Sequence, residues 1–269
     1  MNDVEKATIR ILGSGTSTGV PIIGCRCPVC TSADPRDRRL RFGLHISARG
    51  YGLEIDVSPD FREQALANAI ERVDAVVVSH CHADHVLGMD DLRRYNTLQQ
   101  GSIDVWGRPP VLKDTARIFG YIFDPPREVE EWHLYRPKLV PRALPEFPEA
   151  TPLGPFSVRI APVPHGPAEA SAIEVSFEGR RLVVASDCSA VTPTLAEMLH
   201  GADVAIIDGL RDRPHTAHLT LAAATEALEK AHCRRGFIIH IGHEISHAAL
   251  EARLPAGISP AYDGEVIEL

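Results

Sequence analysis

Short apolar runs recur along this chain and set its expected elements. Segments 8–12, 73–79, 103–106, 156–163, 170–177, 181–186, 203–208, 236–241 and 264–268 read as strands. Segments 44–47 and 53–57 flank Arg49-Gly50-Tyr51-Gly52, a hairpin signal. Apolar positions at helical spacing predict helices over 63–70 and 219–232. Thr192-Pro193-Thr194 places an N-cap and a first-turn proline ahead of 195–199. Hairpins come first and strand–helix alternation follows, which predicts an α/β sandwich with mixed sheets rather than a purely parallel doubly wound sheet. Residues 136–167 hold nine prolines and read as a long connection draped over the middle of one domain spanning 1–269. The sequence carries no visible internal repeat.

Composition narrows the function classes. The 269 residues are 44% apolar and 24% charged, ordinary for a globular protein with a sizeable core. Net charge is -8, from 28 basic and 36 acidic residues, which argues against a broad electrostatic grip on nucleic acid or anionic membrane. The polar start, Met1-Asn2-Asp3-Val4-Glu5-Lys6, has no signal-peptide core, and no apolar run is long enough to span a bilayer. A cytoplasmic location is expected. Of six cysteines, Cys25, Cys27 and Cys30 lie within six residues, which reads as a metal site rather than a disulfide framework. Cys81, Cys188 and Cys233 are scattered, and Cys81 and Cys188 are expected to fill small packing positions.

The densest chemistry follows the apolar run 73–79. His80-Cys81-His82-Ala83-Asp84-His85 puts four metal-binding side chains into six residues, in the loop after a buried strand. A dinuclear centre needs about six or seven protein ligands with positions left open for water and substrate. His165, Asp187 and His240 each end an apolar run and are candidates for the remainder; singly, each could equally cap or brace a strand end. C-x-C-x2-C supplies three soft thiolates, which one imidazole would close into a tetrahedral site. Glycine-rich 13–19 lacks the Walker and G-x-G-x-x-G spacings and reads as a tight turn leading toward the cysteines. His215 and His218 share a loop ahead of the helix over 219–232. His45, His133, His200, His232 and His247 read as structural or exposed.

H-x-H-x-D-H followed by a distant His, Asp and His resembles the signature of the metallo-β-lactamase-fold hydrolases, over nearly the whole chain. The resemblance implies an αββα sandwich with helices outside. It implies that His80, His82 and His165 hold one metal, that Asp84, His85 and His240 hold a second, and that Asp187 bridges them. Asp56 matches the family's buried acid beneath the ligand loop. The run 13–21 followed by Gly24-Cys25-Arg26-Cys27-Pro28-Val29-Cys30 resembles the PhnP-type branch, whose best-known members are cyclic phosphodiesterases of phosphonate metabolism. That branch implies a structural zinc on Cys25, Cys27, Cys30 and His243; His247, four residues past His243, is an alternative fourth ligand by its position alone. The branch also implies an active-site role for His218 outside the metal shells.

The expected function is thus a metal-dependent phosphodiesterase acting on a small, ribose-cyclic type of phosphate through a metal-bridging hydroxide, with His218 protonating the leaving oxygen. Its cofactors would be two divalent metals, manganese, zinc or iron, plus one structural zinc. Its partner would be a small phosphodiester, with no nucleic acid or membrane, in a chain that could form a homodimer. A PqqB-like oxidative cofactor-maturation enzyme is the rival enzyme class. A flavodiiron-type enzyme is disfavoured by His82, where that class has Glu. The acidic balance disfavours a transfer-RNA nuclease. A non-catalytic zinc module explains the cysteines but not the seven His and Asp positions.

Overall fold

The computed structural model describes residues 5–123 and 136–269. Strands β1 (Thr8–Gly13), β2 (Gly43–Ala48), β3 (Tyr51–Ile55), β4 (Ala75–Val77), β5 (Ile103–Gly107) and β6 (Leu139–Ala143) form one sheet in that order. Strands β7 (Thr151–Leu153), β8 (Phe156–His165), β9 (Ala168–Phe177), β10 (Arg180–Ala185), β11 (Val204–Asp208), β12 (Arg235–Ile239) and β13 (Ile258–Pro260) form a second. β14 (Val266–Glu268) returns to pair with β1. Each sheet runs through three antiparallel pairings and then three parallel ones. The chain therefore repeats a topology that its residues do not repeat.

Helices cover both outer faces. α1 (Phe61–Ala67), α2 (Ala83–Val86), α3 (Arg93–Gln99), α4 (Pro109–Ile118) and α5 (Gly120–Phe123) connect strands of the first sheet. α6 (Pro193–Leu199), α7 (Leu221–Ala231) and α8 (His247–Glu251) serve the second. The period-two alternation of a strand explains the layers. On β4, Ala75 and Val77 face the sheet–sheet core, while Val76 packs toward Phe61, Met89 and Leu92 on the helical side. On β11, Val204 and Ile206 face the same central core, while Ala205 and Ile207 pack with Leu195, Leu221 and Leu228. Strands buried on both faces need continuous apolar sequence, which is what segments 73–79 and 203–208 contain. This is the αββα sandwich with mixed sheets.

Local signals account for the later helices. The Thr192 side chain accepts from Leu195 N, and Pro193 takes the first turn of α6. Thr220 caps α7 by accepting from Ala223 N, and His232 ends it in the left-handed conformation.

Residues 136–167 are not a long connection, contrary to the expectation from their prolines. They build β6, β7 and β8. β6 and β7 are the outer strands of their sheets, so Pro141 and Pro152 sit where a missing N–H costs little. Pro162 and Pro164 lie on β8 beyond the reach of β7, where that strand has become an edge. The ligand run is also not all loop, because Asp84 and His85 lie on the single turn of α2. No helix among the described residues is long and apolar enough to cross a membrane.

Candidate metal centre

The sheets deliver their strand ends to one place. β3 leads to Asp56, β4 to His80, β8 to His165, β10 to Asp187, β11 to Asp208 and β12 to His240. The His165 Nε2 and His80 Nε2 atoms approach His82 Nδ1 at 3.1 and 3.0 Å. His85 Nε2 lies 3.3 Å from Asp84 Oδ2 and 3.1 Å from Asp187 Oδ2. His240 Nε2 lies 3.4 Å from Asp187 Oδ1 and 3.7 Å from Asp84 Oδ2. Asp187 also reaches to 3.8 Å from His165 Nε2, so its carboxylate stands between the two groups. Metal–nitrogen bonds of about 2.0–2.1 Å put neighbouring donors about 3.0–3.4 Å apart, the spacing of five of the seven contacts; the other two are 3.7 and 3.8 Å.

Second contacts aim these donors. Asp56 is buried, accepts from Ser79 N at 2.7 Å, and holds His85 Nδ1 at 2.7 Å. His165 Nδ1 donates to Ala217 O at 2.9 Å. Each contact fixes a tautomer and turns Nε2 inward, as outer contacts to metal-binding histidines do. Asp56 and His240 adopt φ values of 61°, a left-handed conformation that a buried non-glycine residue holds only when its surroundings impose it.

The basket demands positive charge. His85 Nε2, Asp187 Oδ2 and both ring nitrogens of His240 are buried and have no hydrogen-bond partner among the described residues. Burial would push Asp187 up, but the imidazoles of His240 and His85 hold it well below the usual carboxylate range. Burial would push His85 down, yet Asp187 and Asp56 hold it well above its ordinary value. Orphaned donors around a carboxylate that favours cations are a fit for divalent metal. His82 alone of the seven is exposed, so the basket is open to solvent on its side.

His218 lies beside the seven. Its Nδ1 bonds Asp208 Oδ2 at 2.8 Å and its ring stacks on His240 with centroids 4.6 Å apart. Burial and then the charge of His240 push it down to about 4. Asp208, which also accepts from Cys188 N, was not singled out in the sequence. Its only signal is its place at the end of the apolar run 204–207, the same signal that marks Asp187. His215 is exposed, 5.0 Å from the His218 ring, with Nδ1 accepting from Ala217 N.

The cysteine loop forms a second, separate cluster. Cys25, Cys27 and Cys30 Sγ lie 3.4, 3.5 and 3.5 Å from His243 Nδ1. Zinc bonds of about 2.3 Å to sulfur and about 2.0 Å to nitrogen at tetrahedral angles give about 3.5 Å. Backbone contact at Cys30 lowers Cys27 to about 6, the thiolate form a metal takes. The fourth member is His243, not His247, which is buried beside Tyr262. The glycine-rich turn is close-packed: a Cβ on Gly13 would lie 1.9 Å from Arg41 O. Cys188 packs in the core beside α6 and Cys81 is half-buried. His45 is buried against Glu54 at 2.7 Å, and His133 lies outside the described residues.

Comparisons with known proteins agree with this geometry. A family model described as a beta-lactamase superfamily domain matches residues 53–241. A crystal structure described as a new diphosphatase from the PhnP family superposes with a TM-score of 0.88 and 35% identity, covering 98% of this chain and 97% of that one. An octanoyltransferase of Porphyromonas gingivalis is 33% identical over 266 residues, 94% of this chain; the chain spans 50% of that protein's length. Coenzyme PQQ synthesis protein B of Methylobacterium nodulans is 28% identical over 234 residues, 74% of this chain and 71% of that protein.

Proposed function

We propose a phosphodiesterase, from the premise that this chain belongs to the β-lactamase superfamily and has the fold of its metal-dependent hydrolases. The observation that carries the proposal is a basket of seven His and Asp donors with His218 beside it, its Nδ1 taken by the buried Asp208 carboxylate. His80, His82 and His165 would hold one divalent metal, Asp84, His85 and His240 a second, and Asp187 both. When bound, such metals supply an activated water at neutral pH and neutralise charge on phosphoryl oxygens.

The chain's own residues do the rest. Asp56 and Ala217 O orient His85 and His165. Asp208 fixes Nδ1 of His218 as the donor nitrogen of a neutral ring, which leaves Nε2 for the substrate. A bound phosphate anion raises the proton affinity of that nitrogen, which takes a proton from solvent and passes it to the leaving oxygen. The exposed flank at His82 admits a small phosphate diester. The proposal takes residues 1–269 as one cytoplasmic domain with two catalytic metals, zinc or manganese, and a structural zinc on Cys25, Cys27, Cys30 and His243. Nucleic acid and membrane are not its partners.

The diphosphatase similarity adds phosphoric anhydrides as a second substrate class, and the similarity to coenzyme PQQ synthesis protein B keeps an oxidative reading as rival. The test is a screen of zinc- and manganese-loaded protein over linear and 2′,3′-, 3′,5′- and 1,2-cyclic phosphodiesters. Diphosphates and an octanoyl thioester are included, with oxygen uptake followed in parallel. Phosphodiester cleavage without oxygen consumption is expected. Oxygen uptake with no phosphoryl product would sink the proposal.

A further inference from the structure

We propose that Arg39 is a positioning residue for His240, and that through it the cysteine–histidine cluster supports the catalytic metal centre. The inference rests on the two-metal reading above. Its starting point is the segment 240–247. His240 leaves β12 in a left-handed conformation, fully buried, and three residues later His243 meets the three cysteines. One short strained segment thus serves both clusters, and the strain persists only if neighbours impose it.

Arg39 is the neighbour best placed to do so. Its side chain is completely buried, which is costly for a guanidinium; Nε has no partner among the described residues, so the compensation falls on the two Nη groups. Nη1 donates to Gly242 O, and Nη2 donates to Ile245 O at 3.0 Å and to Asp37 Oδ1 at 3.3 Å. The two carbonyls flank His243. Asp37 Oδ1 in turn accepts from His247 N at 2.6 Å, closing the clamp on the far side. The backbone of Arg39 pairs with Val20 in both directions at 2.8 Å, so the arginine is seated on the base of the cysteine loop. Two further bonds complete the hold: Ile241 N donates to Ser14 O and Gly242 N to Leu210 O. No other side chain among the described residues bonds carbonyls on both sides of His243. A lysine keeps the charge but cannot reproduce a fork that spans two carbonyls and a carboxylate.

The test is cobalt titration of metal-free protein, read by absorption and by competition with a chelator. Thiolate-to-cobalt charge transfer reports the cysteine cluster, and ligand-field bands report the His/Asp basket. Arg39→Gln is expected to keep the thiolate band and weaken the last basket cobalt by roughly tenfold to a hundredfold, with Arg39→Lys in between. Cys27→Ser is expected to weaken the thiolate band and the cobalt affinity behind it, and to show the same weakening in the basket. Ile46→Val, in the sheet–sheet core on β2, a strand that carries no donor, is the control for general destabilisation: a lower Tm with unchanged cobalt affinity. Should Arg39→Gln fail to fold, Arg39→Lys and Cys27→Ser carry the measurement. Unchanged basket affinity in these variants, or equal weakening in Ile46→Val, overturns the inference. Wild-type protein that binds cobalt only at the thiolates would instead overturn the two-metal reading beneath it.

Discussion

The two sheets have the same order of antiparallel and parallel pairings, yet they equip the metal basket in different ways. In the first sheet, the loop and turn after β4 hold His80, His82, Asp84 and His85 in six consecutive residues, braced by Asp56 after β3. In the second, β8, β10 and β12 each contribute one candidate donor, His165, Asp187 and His240, and β11 contributes Asp208. A contiguous run needs one local conformation to be right. Dispersed ligands need the whole sheet to be in register, because a one-residue slip would turn each of them away. The first half is thus a preassembled grip, and the second is only as good as its packing.

Breaking the dispersed half at its centre has the largest expected effect. Asp187→Ala removes the carboxylate between the two donor groups, and hydrolysis of a bis-aryl phosphate should fall by roughly 10³-fold. Metal analysis should show the basket metals lost and the cysteine-bound metal kept. His218→Gln tests the histidine of that half to which the proposal gives a role outside the donor set. Turnover should drop by about 10²-fold with metal content unchanged, measured on the same protein batch. Asp208→Asn sharpens the comparison further, since it leaves His218 present but free to change tautomer. A loss of about tenfold, with an altered pH–rate profile, is expected; an unchanged profile would remove Asp208 from the positioning role.

The smallest effect concerns stability. Asp263 accepts from Ser14 and from Leu40 N, beside the turn that supports Ile241, and burial pushes it up to about 6. The folded protein therefore holds a proton there between the ordinary carboxylate value of 3.8 and about 6 that the unfolded chain has released. Its contribution to stability is full below that window and declines as pH rises through it. Thermal melts of wild type against Asp263→Asn should diverge in slope between those values, by roughly 2–4 °C.

The same contrast explains what could be read in advance. His80-x-His82-x-Asp84-His85 was legible because metal chemistry is concentrated in a few letters. The apolar strands were legible because both of their faces are buried. Asp208 was not, since one aspartate after an apolar run looks the same whether it caps a strand or braces a histidine. Arg39 was hidden for the opposite reason: an arginine reads as surface, and only the fold shows its fork closed on Gly242 and Ile245. The proline-rich stretch misled because proline forbids a central strand but not an edge, and edge position is a property of the assembled sheet. The short helices 93–99 and 247–251 escaped because their apolar positions are too few to establish a period.

The exposure of His82 also sets an order of events. Six of the seven donors lie in the protein interior, and this one stands at the solvent boundary. On the two-metal reading, an imidazole at the solvent boundary would swing away without disturbing the sheets, and ion exchange on that flank would be faster than on the buried Asp84–His85–His240 flank. A chelator would draw the two ions out at separate rates, leaving a half-loaded species in between. The protein could then be prepared with a different element on each side.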